Sequence, residues 1–420
     1  MMAAVSANTS LEPAVHPSRL RWVMIAFAFG ATVINYLDRQ TLSVTAPILT
    51  KEFHMNDETY GLVLLAFMLA YTIMNGLSGP LIDRVGTKIG YACCMAWWST
   101  AGLLHVFARG PFSLGSFRFL LGVGEAGNWP AAVKLVGEWF PAKERALASG
   151  IFNSGAAIGA VAAPLVIAWL VVRWGWQAAF GLIGVIGYAW LVGWWLVYRV
   201  PPTVKNAPRE PRVPVARLMR TRFVPFFTLS KVFIDPVWYF YIFWIPKYVT
   251  SVYHLNLLEM AKLVWIPYLT ADLGNLAGGG LSMLLIQRGA SVPAARKVCL
   301  IFFALCMACA VGAVFAPGVG TALACVSIAT FGYTGCTTNM LALPADIYPK
   351  NAIASVYGLA SMGAGFGGML FSWLTGWVID RHGYVPVLFG YGILPLIGLA
   401  ILLFLCGSLG RDTTFAAALD

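Results

Sequence analysis

Two octets organise this 420-residue chain: GPLIDRVG at 79–86 and GWVIDRHG at 376–383. Both read G-x-x-x-D-R-x-G, and each stands between two long apolar runs. Charge beside a turn-forming Gly marks each octet as a loop. Outward from the first octet, apolar residues fill about 58–80 before it and 88–108 after it. Crossing ~30 Å of hydrocarbon takes a helix of about 20 residues, so both flanks are membrane spans.

Repeated along the chain, this pattern gives twelve spans. They cover about 21–46, 58–80, 88–108, 112–139, 145–171, 177–199, 223–250, 257–287, 297–316, 318–345, 352–378 and 385–409. The fold class is all-α, a polytopic membrane protein; barrel strands would alternate over about ten residues. Composition agrees, with 59% hydrophobic and 11% charged residues and a mean hydropathy of +0.76. A soluble domain carries about 25% charged residues, so that class is excluded. The 43 Gly fit close helix packing where no hydrophobic force drives association. All eight Cys fall within spans and form no ligand-like cluster with His, so neither a disulfide framework nor a metal site is expected.

The Pro-rich, basic stretch 200–222 divides the chain into six-span halves, 1–199 and 223–420. The two octets leave spans 2 and 11, expected counterparts in nested inverted repeats. Lys and Arg lie eighteen to six in favour of the side holding both termini. That predicts cytoplasmic termini in a cell (inner) membrane, and assigns the net charge of +11 to topology and anionic headgroups, with no call for nucleic acid. No cleavable secretory signal is apparent, since the first apolar run continues into Asp38 and Arg39.

Those two residues stand in INYLDRQTLSV, 34–44, inside span 1. An ionisable group near the bilayer midplane costs anything from ~3 to above ~10 kcal/mol, so it should face a cavity or a partner. Span 4 carries two more, Arg118 and Glu125, seven residues and two helical turns apart. Two carboxylates and two guanidiniums sharing a cavity can bind an anion and take up a proton; a structural ion-pair network between spans 1 and 4 is the alternative.

Further strings carry a family resemblance. GPLIDRVGTK resembles the signature loop of the major facilitator superfamily. NYLDRQTLSV, RFLLGVGEAGNWPAAVK, EWFPAKERALASGIFNSGAAIGA, KVFIDPVWYFYIFWIPKY and TADLGNLAGGG are similar to the anion:cation symporter family, most closely its hexuronate transporters. The resemblance covers about residues 20–405. It implies that Asp38 and Glu125 act in proton coupling and that Tyr71 lines the substrate site. Span 10 departs from the pattern: in place of a His-Gln-x-Trp stretch before an Asn it has Tyr333-Thr334-Gly335-Cys336, then Thr337, Thr338 and Asn339. That leaves the transport expectation intact and opens the choice of sugar acid.

Arg39 and Arg118 are expected to hold a substrate carboxylate, whose geometry a planar guanidinium matches. Asn153 and Ser154 in FNSGAA are candidates for the cavity wall or for helix–helix hydrogen bonds. Lys231 and Asp235, four apart, can pair with each other, while Lys231 is also a candidate substrate contact. Trp238 and Tyr239 offer faces for a sugar ring or for packing, and Asn275 and Asn339 are polar groups deep in spans 8 and 10. Asp272 and Asp346 are left as gating or structural residues. Asp83, Arg84 and Lys88 form a candidate latch, with Asp83 suited to the positive N-terminus of another helix.

A membrane enzyme would cluster His/Asp or DxD-like groups at one face, and none is seen. No G-x-x-x-x-G-K-[ST] occurs, which excludes ATP drive by this chain. The expectation is a monomeric, cofactor-free, proton-coupled importer of a hexuronate, working by alternating access. Another organic anion (aldonate, aldarate or simple monocarboxylate) stands second, and a drug-efflux antiporter further back.

Overall fold

The computed structural model describes residues 19–201, 213–255, 263, 265–406 and 409, and every regular element among them is helical. Part of the expected linker, 202–212, lies outside them, as do 256–262 and 264 at the expected start of span 8. Span 1 is Leu20–Glu52, span 2 Asp57–Val85 and span 3 Thr87–Leu104. Span 4 comes in two pieces, Pro111–Glu125 and Asn128–Trp139. Spans 5 and 6 form one run, Ala142–Val197, that turns at Gly175 (φ 82, ψ 170). A short helix, Val215–Arg220, precedes span 7, which has three pieces: Phe223–Ile234, Pro236–Phe243 and Ile245–Tyr253. Span 8 is Ile266–Gln287, and span 9 is Val292–Ala308 with a 3-10 turn, Cys309–Phe315. Span 10 is Val319–Ile347, span 11 Ile353–His382 and span 12 Tyr384–Ala400, ending in a wider turn, Ile401–Leu405.

Among the described residues, eight helices are long and apolar enough, by length and composition, to cross a membrane. One of them is the run through Gly175, which supplies two spans; span 3, with 18 residues, and the broken spans 4 and 7 complete the twelve. Span 2 shows why the elements suit lipid: Leu62, Leu65, Leu69, Ile73, Leu77 and Leu81 are all exposed, at spacings of three and four residues. That is an apolar stripe turned outward, the reverse of a soluble amphipathic helix.

Among the described residues the glycines at positive φ are Gly86, Gly175, Gly289 and Gly383. They end spans 2, 5, 8 and 11, where the chain reverses at once and a side chain would be strained. Two non-glycine residues share such a conformation, His54 (φ 50) after span 1 and His254 (φ 54) after span 7. They sit in Phe53-His54-Met55-Asn56 and Tyr253-His254-Leu255-Asn256, a parallel repeat between the halves.

The side on which span 1 begins is called proximal here and the other distal. One buried core draws almost wholly on the first six spans. A second belongs to the last six. The first core also takes in Leu341, Ala345, Ile353, Ala354 and Tyr357, from the proximal ends of spans 10 and 11. The halves therefore meet along a proximal seam. A methyl group on Gly79 would strike the Ala354 carbonyl, and one on Gly358 the Asn75 carbonyl. Between spans 5 and 8, Gly150 lies against the Asn275 carbonyl and Gly279 against the Leu147 backbone. Glycine lets the backbones cross this closely.

Candidate functional site

At mid-depth between the halves lies a cavity of about 510 Å³, within the range of small-molecule sites. Eight of the expected substrate residues line it: Arg39, Tyr71, Arg118, Asn153, Lys231, Trp238, Tyr239 and Asn275. Asn339 is not among the lining residues. Its amide donates to the Gly278 and Gly335 carbonyls at 3.1 and 3.0 Å, within the packing of spans 8 and 10. Tyr333 and Thr337 line the cavity one turn apart. Two further residues rotate the helix by about 200°, so Asn339 faces away.

Arg39 dominates the first-half wall. Its Nε donates to Glu125 Oε2 at 2.7 Å. Its guanidinium lies 4.3 Å from the Tyr71 ring centroid, 5.3 Å from Phe67, 5.5 Å from Tyr36 and 5.7 Å from Trp129. Four electron-rich faces favour a cation there without cancelling its charge. The Arg39 Nη2 atom has no hydrogen-bond partner. Glu125 is fully buried, at the end of the first piece of span 4, and its Oε1 is unpartnered. The helix breaks there because Pro130 has no N–H to give the Ala126 carbonyl, which accepts from the Ser78 hydroxyl instead at 3.4 Å, and Gly124 and Gly127 pack against Trp97, Trp98 and Cys94 of span 3 with no room for a Cβ. The coupling candidate thus sits at a discontinuity.

Arg118 donates through Nη1 and Nη2 to the Asp38 backbone carbonyl, each at 3.4 Å, and its buried Nε is unpartnered. Asp38 is buried, with its Oδ1 beside Gly102 of span 3 and its Oδ2 unpartnered. Neither Asp38 nor Glu125 forms part of the cavity surface; Glu125 pairs with Arg39, and Asp38 meets Arg118 through its backbone carbonyl.

On the second-half wall, Lys231 Nζ lies 2.6 Å from Asp235 Oδ2. Tyr333 donates its hydroxyl to Asp235 Oδ1 at 3.2 Å and stacks on Trp238, with centroids 5.4 Å apart and planes at 9°. Towards the proximal side, Asn153 donates to Asn275 Oδ1 at 2.9 Å, and Trp129 Nε1 donates to Asn153 Oδ1 at 3.2 Å. Ser154 bonds back to the Ile151 carbonyl at 2.9 Å, within its own helix.

The latch candidates separate. Asp83 Oδ2 accepts from the Ser355 amide at 2.7 Å and its hydroxyl at 2.6 Å, while Oδ1 accepts from the Ala354 amide at 3.3 Å. The carboxylate thereby caps span 11 across the seam, at the positive end of the helix dipole. Lys134 pairs with Asp83 at 2.8 Å. Arg84 is exposed, and Lys88 lies over the Trp195 ring of its own half at 4.9 Å. A second seam contact joins Asp346 to Arg145 at 3.0 Å and to Arg296 at 2.9 Å. Asp272 carries an unpartnered Oδ1.

Sequence reasoning had not singled out Tyr36, Trp129, Tyr357 or Lys134. Lys134 did carry a signal, as a cation inside an apolar span. The aromatic residues did not, because rings are common on membrane helices and their direction needs the fold.

Comparison with known proteins follows the same lines. Residues 28–294 match the family model described as Major Facilitator Superfamily. The hexuronate transporter of Escherichia coli K12 is 32% identical over 405 residues, covering 91% of this chain and 93% of its own. A D-galactonate transporter of Escherichia coli O6:H1 is 28% identical over 424 residues, 95% of this chain and 98% of its own. Among solved structures, the superfamily transporter FucP in its outward conformation shares the fold with a TM-score of 0.73 at 14% identity, covering 94% of this chain and all of that one.

Proposed function

The chain belongs to the major facilitator superfamily, and from that premise we propose that it is a proton-coupled symporter importing a sugar-acid anion, a hexuronate first. One observation carries this: Arg39 and Arg118 line the cavity, each with an unpartnered nitrogen, and the carboxylate that Arg39 pairs with, Glu125, is buried outside the cavity surface. Relatives named hexuronate and D-galactonate transporter support the substrate class.

The chemistry follows from competition for one cation. An incoming carboxylate matches the free edge of Arg39 and draws it from Glu125. A buried carboxylate without its cation is neutralised by a proton. Anion and proton thus enter together and leave together when the site opens to the other side. Asp38, whose backbone carbonyl meets Arg118, is the second carrier. Tyr71, the aromatic rings and the second-half polar groups read ring and hydroxyls. The test is uptake into proteoliposomes across uronates, aldonates, aldarates and simple monocarboxylates, with and without a pH gradient. Accumulation of no sugar acid in any arm overturns the proposal. An aldonate stands second, favoured by Tyr333 and Thr334 on the cavity wall, in the stretch where hexuronate-type members carry His-Gln-x-Trp.

Alternating access gives the seam its role. With both termini cytoplasmic in the inner membrane, the proximal side is the cytoplasmic one, and the structure is the state closed to it. Labelling of cysteines introduced in 200–222 should proceed only from the cytoplasmic side; modification from outside reverses the topology. Asp83→Asn removes one charge from the cap of span 11, and should slow turnover several-fold more than it weakens substrate binding. Paired transport and binding measurements check this, and a loss confined to affinity removes Asp83 from gating. The same proposal takes 1–199 and 223–420 as the moving halves of a monomer.

A further inference from the structure

Lys231 and Asp235 are the only charged side chains that the second half contributes to the cavity wall among the described residues. They lie 2.6 Å apart on one face of span 7, with side chains 3% and 7% exposed. A pair this close presents a dipole to anything a few ångströms away, with little net charge. Tyr333 donates to the second oxygen of Asp235, and the Lys231 ammonium lies 5.5 Å from the Tyr357 ring centroid. The first-half wall is different in kind: Arg39 and Arg118 line the cavity, each with a buried nitrogen that has no hydrogen-bond partner, while Glu125, the carboxylate paired with Arg39, is no part of the cavity surface. The charged groups lining the first-half wall are cations alone, whereas the second-half wall presents a cation and an anion side by side.

We propose that the Lys231–Asp235 pair is a charge filter, selecting sugar acids with one carboxylate against those with a carboxylate at both ends. This rests on the sugar-acid reading above and deepens it. A substrate whose carboxylate occupies the arginine wall places its far end against span 7. A hydroxyl there can accept from the remaining Lys231 N–H groups and donate to Asp235. A second carboxylate meets the Asp235 charge together with that of Lys231, so its loss of hydration is not repaid. Lys231 can serve a second anion only where Asp235 is absent or neutral.

The alternative is a pair that only steadies span 7, whose helix is interrupted at Asp235 before Pro236. The two accounts differ in a ratio. Binding of glucuronate, galacturonate and gluconate is measured against glucarate and galactarate on the purified full chain. The wild type is expected to prefer the monoanions. Asp235→Asn and Asp235→Ser unmask the ammonium, and should raise dianion affinity relative to monoanion affinity by about ten-fold or more. An unmoved ratio, with all affinities falling together, overturns the filter. Lys231→Met/Asp235→Asn removes both charges and should keep the wild-type ratio even if the single variants fail to fold. A ratio that shifts towards the dianion in this double variant also overturns the proposal, which assigns the gain to the freed ammonium. A wild type that binds monoanions and dianions alike overturns the filter alone. A wild type that binds no sugar acid overturns the proposed function, and the filter with it.

Discussion

Glu125→Gln is expected to keep substrate exchange running while abolishing accumulation driven by a pH gradient. The amide oxygen of glutamine can still accept from Arg39 Nε, which now donates to Glu125 at 2.7 Å. The amide nitrogen occupies the place of Oε1, which has no partner. The substitution therefore preserves shape and holds the site in the equivalent of its protonated form. Substrate enters and leaves from either side, so counterflow between two pools persists. The proton is no longer taken up or released, so with the membrane potential held at zero the inside-to-outside concentration ratio should fall to about one, because the pH gradient is no longer coupled to the movement. Proteoliposomes with an imposed pH gradient read this directly. Uphill accumulation as in the wild type would remove Glu125 from coupling. Asp38→Asn is the companion variant. Its carboxylate faces span 3 and its backbone carbonyl holds Arg118, so a structural role would show as lost binding in both assays.

Arg39→Lys is expected to cost binding at least ~2 kcal/mol, about 30-fold in affinity. The guanidinium has two edges, so it can hold Glu125 through Nε and still have the unpartnered Nη2 to give to a carboxylate. An ammonium is a point charge and cannot keep both in one plane. The four rings around Arg39 suit a flat cation, with Tyr71 closest at 4.3 Å, so stacking is lost as well. Titration of the purified protein with substrate measures the loss, and wild-type affinity would show that Arg39 does not clamp the carboxylate. In Arg118→Lys the same loss is joined by release of the Asp38 carbonyl, and strong weakening is expected there too.

Much of the fold was legible because membrane spans announce themselves by apolar length. The twelve spans and the recurrent D-R-x-G turns needed no tertiary information, and positive φ at Gly86 and Gly383 gives those turns their physical cause. The parallel repeat at His54 and His254 was missed, because so short a string carries too little pattern until the positive φ shared by the two histidines is known. The midplane charges were legible as a group, but their partners were not. Arg39 follows Asp38 in sequence, yet about 100° of helix rotation separates them, and Arg39 pairs with Glu125 of span 4. The two-turn spacing put Arg118 and Glu125 on one face, but the helix ends at Glu125, so they engage different residues of span 1. Asp83 was readable as a cap, whereas its cap site on span 11 and its pairing with Lys134 depend on how the halves dock.

The glycine crossings of the proximal seam bear on how the transporter answers to temperature. Beside the crossings at Gly79, Gly150, Gly279 and Gly358, where backbone meets backbone, the seam also buries Leu341, Ile353 and Tyr357 in the first-half core. Under the proposed alternating access these side chains are uncovered as the halves part, and apolar exposure raises heat capacity. Opening under that proposal therefore carries a positive heat-capacity change, so its enthalpy rises with temperature. On that reading warming shifts the balance between the two states, against the charged contacts at Asp83 and Asp346 that hold the closed one.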